Sequence, residues 1–545
     1  MSRRVKRGKI NLNIGERILN TLQEYLNKRV LGLIRNDNNK DIDKVRNFEK
    51  IRKFYDMRKK NEYTLDNQTW SDLDMNKVYE KLDRTYSSSG EAALYTMLRN
   101  PLMEKEKLKE RGGLIHIFKE NSKLRESLQC VFFNLNNDFK NGFLDMIEND
   151  LTINKTKYYI YTFMGKVVPL TIILLSIFVN VKFMIALFVL SYINIHINTR
   201  EVKAIKTNGI IYLRKNIVAA KKIVSIDNKD IIYYRDKINS MLKSIKGIDR
   251  GTRLIGFINM WAGLFEPLSV LFLLEETAYY SIADKIKQEK EVLMDLYYIV
   301  GEIEALISIS GYEHNLIQQC VKPVFLSGIT LSIKEGIHPL IENAVGNSIN
   351  IENGGIVLTG TNMAGKSTFL RMLGVNIILA QSFYFVLAKE YKAPFFNIVS
   401  SISPSDDLTK GKSFFMAEVE SILRIIKALE KDVPVFCPID EIFRGTNPIE
   451  RISMSAEILN YINNGNSISI VATHDRELVD ILKENYEFYY FSEKVDTNKG
   501  LSFDYKIKKG ISQTRNAIKL LEYMCYPKEI TNRAYKRAEI IEKLL

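Results

Sequence analysis

The chain has little of what builds covalent or metal-bound scaffolds. Its four cysteines, Cys130, Cys320, Cys437 and Cys525, lie far apart without ligand spacing, and its five histidines are equally scattered. This excludes a disulfide framework and a zinc pattern, and it fits reduced thiols in the cytosol. No internal repeat and no low-complexity tract stands out. The N-terminal cluster Arg3, Arg4, Lys6, Arg7 and Lys9 is free of acids, but no apolar stretch follows it as a secretory signal requires. By itself such a run reads as a solvated tail. Acidic residues are in the minority, 64 against 78 basic ones, and the net charge of +14 points to an anionic partner, either nucleic acid or the inner leaflet of a membrane. The length of 545 residues allows two to four domains with ample core.

What is present begins at the apolar run Ile356-Val357-Leu358, which leads into Thr-Gly-Thr-Asn-Met-Ala-Gly-Lys-Ser-Thr at 359–368. A buried strand, a glycine-rich turn and a helix start in that order make a phosphate-binding loop. Gly360 and Gly365 let the backbone approach a polyphosphate, Lys366 reaches its terminal phosphates, and Ser367 is placed to hold Mg²⁺. Further along, Val435-Phe436-Cys437-Pro438-Ile439 ends in Asp440 and Glu441. Asp440 suits the Mg²⁺ shell and Glu441 the polarisation of an attacking water, which is what phosphoryl transfer to water needs. A third strand, Ile468–Ala472, delivers Thr473 and His474. A histidine there can sense the γ-phosphate, while the bland alternative is a satisfied polar residue.

These segments resemble the ATPase domain of the MutS family, the DNA mismatch-repair branch of the ABC-type ATPases. The loop is similar to the family's TGPNMGGKST, departing at Thr361 and Ala364. Asp406-Asp407-Leu408, Gly411 and Ser413-Phe414-Phe415-Met416-Ala417-Glu418 resemble its DDL and STFMVE signature, Asp440–Asn447 resembles DEIGRGTS, and Ala472-Thr473-His474 resembles ATH. His338-Pro339, Gln381, Tyr505–Ile511 and Pro527–Ile530 fall where the family has HP, LAQ, YKLKPGI and the start of its last helical pair. Upstream, Arg84–Gly90, Leu98–Leu102, Arg111 and Gly301–Ser308 are similar to stretches of the family core and returning lever helix, with two amphipathic helices as the alternative. The resemblance implies ATP and Mg²⁺ as ligands, with Glu441 and His474 catalytic. Gly360, Asn362, Gly365, Lys366, Ser367 and Thr368 would bind nucleotide, and Ser367 and Asp440 the metal. It also implies a homodimer in which Ser413 of one subunit completes the site of the other.

A mismatch reader of this family inserts a Phe-x-Glu wedge from an N-terminal domain. About 70 residues, charged and helical in character, precede the core similarity here. Phe48-Glu49-Lys50 lacks the wedge spacing, and Phe491-Ser492-Glu493 lies beyond the ATPase motifs. Mismatch readout of that kind is therefore not expected.

In its place stand two apolar runs, Tyr158–Val179 and Val181–Ile197, broken at Asn180 and Lys182. Each is near the roughly 20 residues that cross a bilayer, although Lys166 and Pro169 interrupt the first. Core helices of a soluble lever are the alternative, but Val167–Val179 and Phe183–Ile193 hold no charge, whereas exposed lever helices need a polar face. Basic flanks, from Lys155 and Lys157 before to Arg200, Lys203 and Lys206 after, predict both ends inside and Asn180-Val181-Lys182 outside. A third apolar stretch, Leu254–Leu274, contains Asn259, Glu266 and Pro267 and reads as a buried helix pair. Charged and apolar residues interleave over Asp230–Lys246 and Asp284–Glu304, predicting amphipathic lever helices.

The fold class expected is thus an α/β P-loop ABC-type ATPase domain joined to an all-α core and lever domain with a two-helix transmembrane hairpin. The organisation expected is a basic helical extension at 1–70, a MutS-like helical core and lever at 71–330 with the hairpin at 158–197, and the ATPase domain at 331–545. The expected function is ATP-dependent clamping and release of DNA, mismatch repair-like or recombination-related, at the cytoplasmic face of the cell membrane. Two alternatives stand beside it. One is a membrane-anchored ABC-type ATPase acting on a protein or membrane partner without DNA. The other is a wholly cytoplasmic protein. A transporter is disfavoured because one hairpin gives too few helices for a substrate path.

Overall fold

The computed structural model describes residues 32, 44–58, 60–149, 151, 154–201, 207–260, 262–316, 320–352, 354–360, 365–402, 414–443, 446–496, 500–511 and 517–544. Most of the 1–70 extension, Asn362, Ser413 and the segment from Asp406 to Gly411 lie outside the described residues. The chain forms two compact units, one from residues 1–59, 82–96 and 114–315, the other from 60–81, 97–113 and 316–545.

The first unit is helical. Two apolar helices open its middle part: Lys155–Thr162 continues through a π turn, Phe163–Val167, into α1 (Val168–Phe178), and α2 (Met184–Glu201) follows a short turn. The π turn has a cause, since Pro169 has no N–H to give the residue four positions earlier and its ring crowds that carbonyl. By length and composition both stretches, Lys155–Phe178 and Val181–Glu201, are long and apolar enough to cross a membrane. Their large side chains face outward, with Phe178 79%, Phe188 76% and Tyr192 77% exposed. At their base Glu201 is buried and accepts from Lys157 Nζ at 2.6 Å, Tyr161 Oη at 2.8 Å and Tyr280 Oη at 2.5 Å.

Next come α3 (Thr207–Ser225), α4 (Lys246–Met260), α5 (Ala262–Leu271), α6 (Leu274–Gln288) and α7 (Lys290–His314). Two expectations change here. Leu254–Leu274 is buried on one side only: Ile255 and Leu273 are buried, whereas Leu254, Phe257 and Leu268 are all more than 40% exposed. Nor is the second half of Asp284–Glu304 amphipathic, because α7 is buried on nearly every side. Its Gly301 lies so close to a neighbouring turn that a Cβ would fall 2.0 Å from the Ser89 carbonyl oxygen. The charges that made the pattern look amphipathic include Glu304, which is buried and bonded to the Tyr86 and Ser87 amides.

The second unit carries two sheets. In chain order the strands are β1 (Val324–Phe325), β2 (Thr330–Gly336), β3 (Asn347–Glu352), β4 (Gly355–Thr359) and β5 (Glu390–Ala393). They continue with β6 (Asn397–Ile398), β7 (Val435–Asp440), β8 (Ser467–Ala472), β9 (Tyr486–Asp496) and β10 (Gly500–Lys509). The smaller sheet has the order β1-β5-β2-β3 and the larger β10-β9-β4-β8-β7-β6, parallel except at the β10 edge. Strands β4, β7 and β8 are buried at every residue, which is why they carry no charge before the strand end, although Ser467 and Ser469 interrupt the apolar run of β8. After β4 the chain builds β6, β7 and β8 on one side and then crosses to β9 on the other. The carboxyl end of β4 is therefore a topological switch point, the place where open parallel sheets bind ligands. Helix α8 (Lys366–Phe383) starts there.

Candidate active site

Between β4 and α8 the backbone turns at Gly360 with φ +131° and Gly365 with φ +109°, a region open to glycine at no steric cost. At Gly360 space is limiting as well, because a Cβ would lie 2.7 Å from the Phe491 carbonyl oxygen. The positive end of the helix dipole that follows faces the turn, which suits an anion. Lys366, the first residue of α8, is buried and folds back so that Nζ donates to the Gly360 carbonyl at 2.7 Å and lies 3.1 Å from His474 Nε2.

The ends of β7 and β8 supply the other groups. Ser367 Oγ donates to Asp440 Oδ2 at 2.5 Å, placing a hydroxyl and a carboxylate oxygen together, the oxygen donors that Mg²⁺ prefers. Glu441 follows with φ +52° and Phe443 with φ +58°. Non-glycine residues reach that region at a cost on the order of 1 kcal/mol each, and it recurs at functional turns. The Glu441 amide is held by the Ala472 carbonyl at 2.9 Å and the Thr473 amide by Leu358 at 3.1 Å, so the three strand ends share one ledge. Glu441 Oε1 sits 3.2 Å from His474 Nε2. One ring nitrogen cannot serve both neighbours. With a proton on Nε2 it donates to Glu441, and without one it accepts from Lys366.

Beside the loop is a cavity of about 490 Å³, lined by His338, Ile341, Thr368, Met372, Phe491 and Tyr505 among others. Its size and mainly apolar walls suit a nucleoside. Burial, with a smaller push from the Arg371 charge, takes the His338 imidazole down to about 4, so the ring is neutral at physiological pH. Its Nε2 is buried without a hydrogen-bond partner among the described residues, and a buried polar atom of this kind calls for a ligand or a water.

Of the residues singled out in the sequence, Gly360, Gly365, Lys366, Ser367, Thr368, Asp440, Glu441 and His474 come together here. Asn362 and Ser413 lie outside the described residues. The cavity wall was not foreseen: Asn347, Phe491 and Tyr505 are strand residues that line it, and although Tyr505 opens a stretch similar to a family motif, no role in a cavity was expected of any of the three. His338 carried a signal, its His-Pro pair, but no role.

Residues 356–542 match the family described as MutS domain V. The DNA mismatch repair protein MutS of Fusobacterium nucleatum is 32% identical over 283 residues, 49% of this chain and 31% of that protein. MutS of Thermotoga maritima is 31% identical over 279 residues, 50% of this chain and 34% of the relative, and that of Thermus thermophilus 29% over 265 residues, 48% and 31%. The chain thus spans about a third of the length of the curated relatives it matches. Residues 356–542 thus carry a domain of the MutS family.

Proposed function

We propose that the chain is a membrane-anchored ATPase that clamps DNA between paired subunits on binding ATP and releases it on hydrolysis. The observation that carries this reading is the convergence of Lys366, Ser367, Asp440, Glu441 and His474 on one ledge at the switch point of the sheet.

ATP would enter with its base in the cavity beside neutral His338 and its phosphates along the loop of Gly360, Asn362, Gly365 and Thr368. Lys366 would exchange the Gly360 carbonyl for the terminal phosphates, placing a point charge where negative charge gathers. Mg²⁺ held by Ser367 and Asp440 would neutralise charge on the phosphoryl oxygens. Glu441 orients the attacking water and takes its proton on the carboxylate. Loss of Lys366 to the phosphates frees His474 Nε2 to carry a proton toward Glu441, so the histidine's tautomer follows nucleotide occupancy. Ser413 of the second subunit would complete the site, making ATP a bridge between subunits and its cleavage a release.

DNA as the partner is supported by the relatives' names and by the net charge of +14. The test is binding of full-length protein in detergent to duplex, mismatched and junction DNA across salt concentrations. Phosphate contacts release counterions, so affinity should fall steeply with salt. Absence of DNA binding at low salt would move the reading to the alternative, an anchored ATPase acting on a membrane or protein partner. The outward-facing apolar side chains of the helices at 155–178 and 181–201 support the anchor that both readings share.

A further inference from the structure

Along α4 one face changes character. Among its described side chains Lys246, Arg250, Arg253, Leu254 and Phe257 are the exposed ones, spaced by four, three, one and three, which places them on one side of the helix. The cations come first. Leu254 and Phe257 follow, 42% and 47% exposed. Behind the cations lies Asp249, only 6% exposed, which accepts from Arg214 Nη1 at 2.6 Å, Lys221 Nζ at 2.7 Å and Arg253 Nη2 at 2.9 Å. Burial works against the charged form of Asp249, but Lys221 and Arg253 outweigh it and hold the carboxyl below its usual range. One carboxylate cancels one of three cations. The remaining positive charge is fixed in place by the same hydrogen bonds, as an anion site requires.

The direction of this face is set by its neighbours. Lys221 of α3 meets Asp249 while Arg214 lies against Gly256, so the two helices are antiparallel. The chain reaches α3 from the end of α2, and α4 leads into α5, whose Leu271 carbonyl accepts from Asn194 within α2 at 2.7 Å. The apolar end of the α4 face is thus the end nearest the apolar helices, and the basic end is farther from them. From Arg253 to Phe257 is about 6 Å of helix rise, close to the thickness of one headgroup layer, roughly 5–8 Å.

We propose that this face of α4 is a phospholipid-binding surface, with Arg250 and Arg253 on the phosphates of anionic lipids in the cytoplasmic leaflet and Leu254 and Phe257 among the acyl chains. The assignment rests on reading α1 and α2 as a membrane anchor. A nucleic-acid backbone would use the cations but has no use for two exposed apolar side chains one turn further along the same face.

The test titrates full-length protein in neutral detergent with dioleoylphosphatidylglycerol or dioleoylphosphatidylcholine and counts bound lipid by native mass spectrometry. Phosphatidylglycerol should be preferred. The double substitution Arg250→Gln/Arg253→Gln, at two exposed positions, should lower its affinity by about fivefold per cation, on the order of 30-fold together, with phosphatidylcholine binding unchanged. An equal lipid preference in parent and variant would overturn the assignment. So would displacement of the lipid by inorganic phosphate alone, which would mark a free-anion site, or by duplex DNA, which would make the face a nucleic-acid surface. Full-length protein recovered in the cytosolic fraction without detergent would instead sink the anchor reading itself.

Discussion

Lys366 Nζ donates to the Gly360 carbonyl and lies beside His474, and the loop sequence 359–368 holds no second cation to replace it at a phosphate. Lys366→Ala should therefore abolish hydrolysis and weaken nucleotide binding, and steady-state ATPase assays with a fluorescent nucleotide titration check both. Normal turnover would remove the site assignment. Glu304 makes a different claim, on stability. Burial, against the bonds from Ser87 and Tyr86, pushes its carboxyl up to about 8, and the cluster around it holds Asp83 and Glu91 against Lys44 and Arg46. Three acids face two bases, so one acid keeps its proton. Folding then binds a proton between the ordinary carboxylate range and about pH 8, and stability must fall as pH rises through that window. Glu304→Gln keeps a carbonyl acceptor for the Tyr86 and Ser87 amides and removes the charge. It should flatten the pH dependence and raise Tm at pH 8, by an amount corresponding to roughly 1–4 kcal/mol, measurable by thermal denaturation at pH 6 and 8. The residues that meet on the ledge were legible because glycine, lysine and acid at strand ends stand out in their order. Glu304 was not, since a glutamate in a helix reads as a solvated face until its neighbours are known.

Strands β4, β7 and β8 were legible as elements, because full burial on both faces leaves an apolar run that no solvent-facing residue interrupts. Strand β6 was not. It is two residues long, and the cause lies in its neighbour: Asn397 and Val399 donate to Pro434 and Phe436, and Asp440 donates to Ser401, but Pro438 has no N–H for the position between. The apolar pair around Tyr158–Ile197 was legible as helices from its lack of charge, whereas the exposed side chains of α4 and α5 were masked by Asn259, Glu266 and Pro267, which suggested a buried pair. Anchoring by two short apolar stretches should depend on both. Deleting Tyr158–Ile197 should release the chain to the soluble fraction while leaving ATP binding intact, as fractionation and nucleotide binding would report. A full-length chain already soluble without detergent would identify these stretches as packed core helices.

At the scale of the whole molecule, the order of motifs carried more than any one of them. A phosphate loop, an acid pair and a histidine each recur by chance, but their sequence along 356–542 matches one family. A separate question is how two copies would meet, since in the proposed cycle the signature at Ser413 completes the site of a second subunit. Glu441→Gln tests this directly. Glutamine keeps the shape of the side chain and leaves Asp440 beside Ser367, so nucleotide and metal should still bind, while the water loses its base and hydrolysis should slow by about 10²–10⁴-fold. If nucleotide bridges two subunits, the uncleaved state accumulates and the variant should run as a dimer with ATP and Mg²⁺ but dissociate without them. Light scattering on the detergent-solubilised variant, with and without nucleotide, reads the mass. An unchanged mass in both conditions, with ATP demonstrably bound, would mean that the site is complete within one chain and that Ser413 has no part in its neighbour's chemistry.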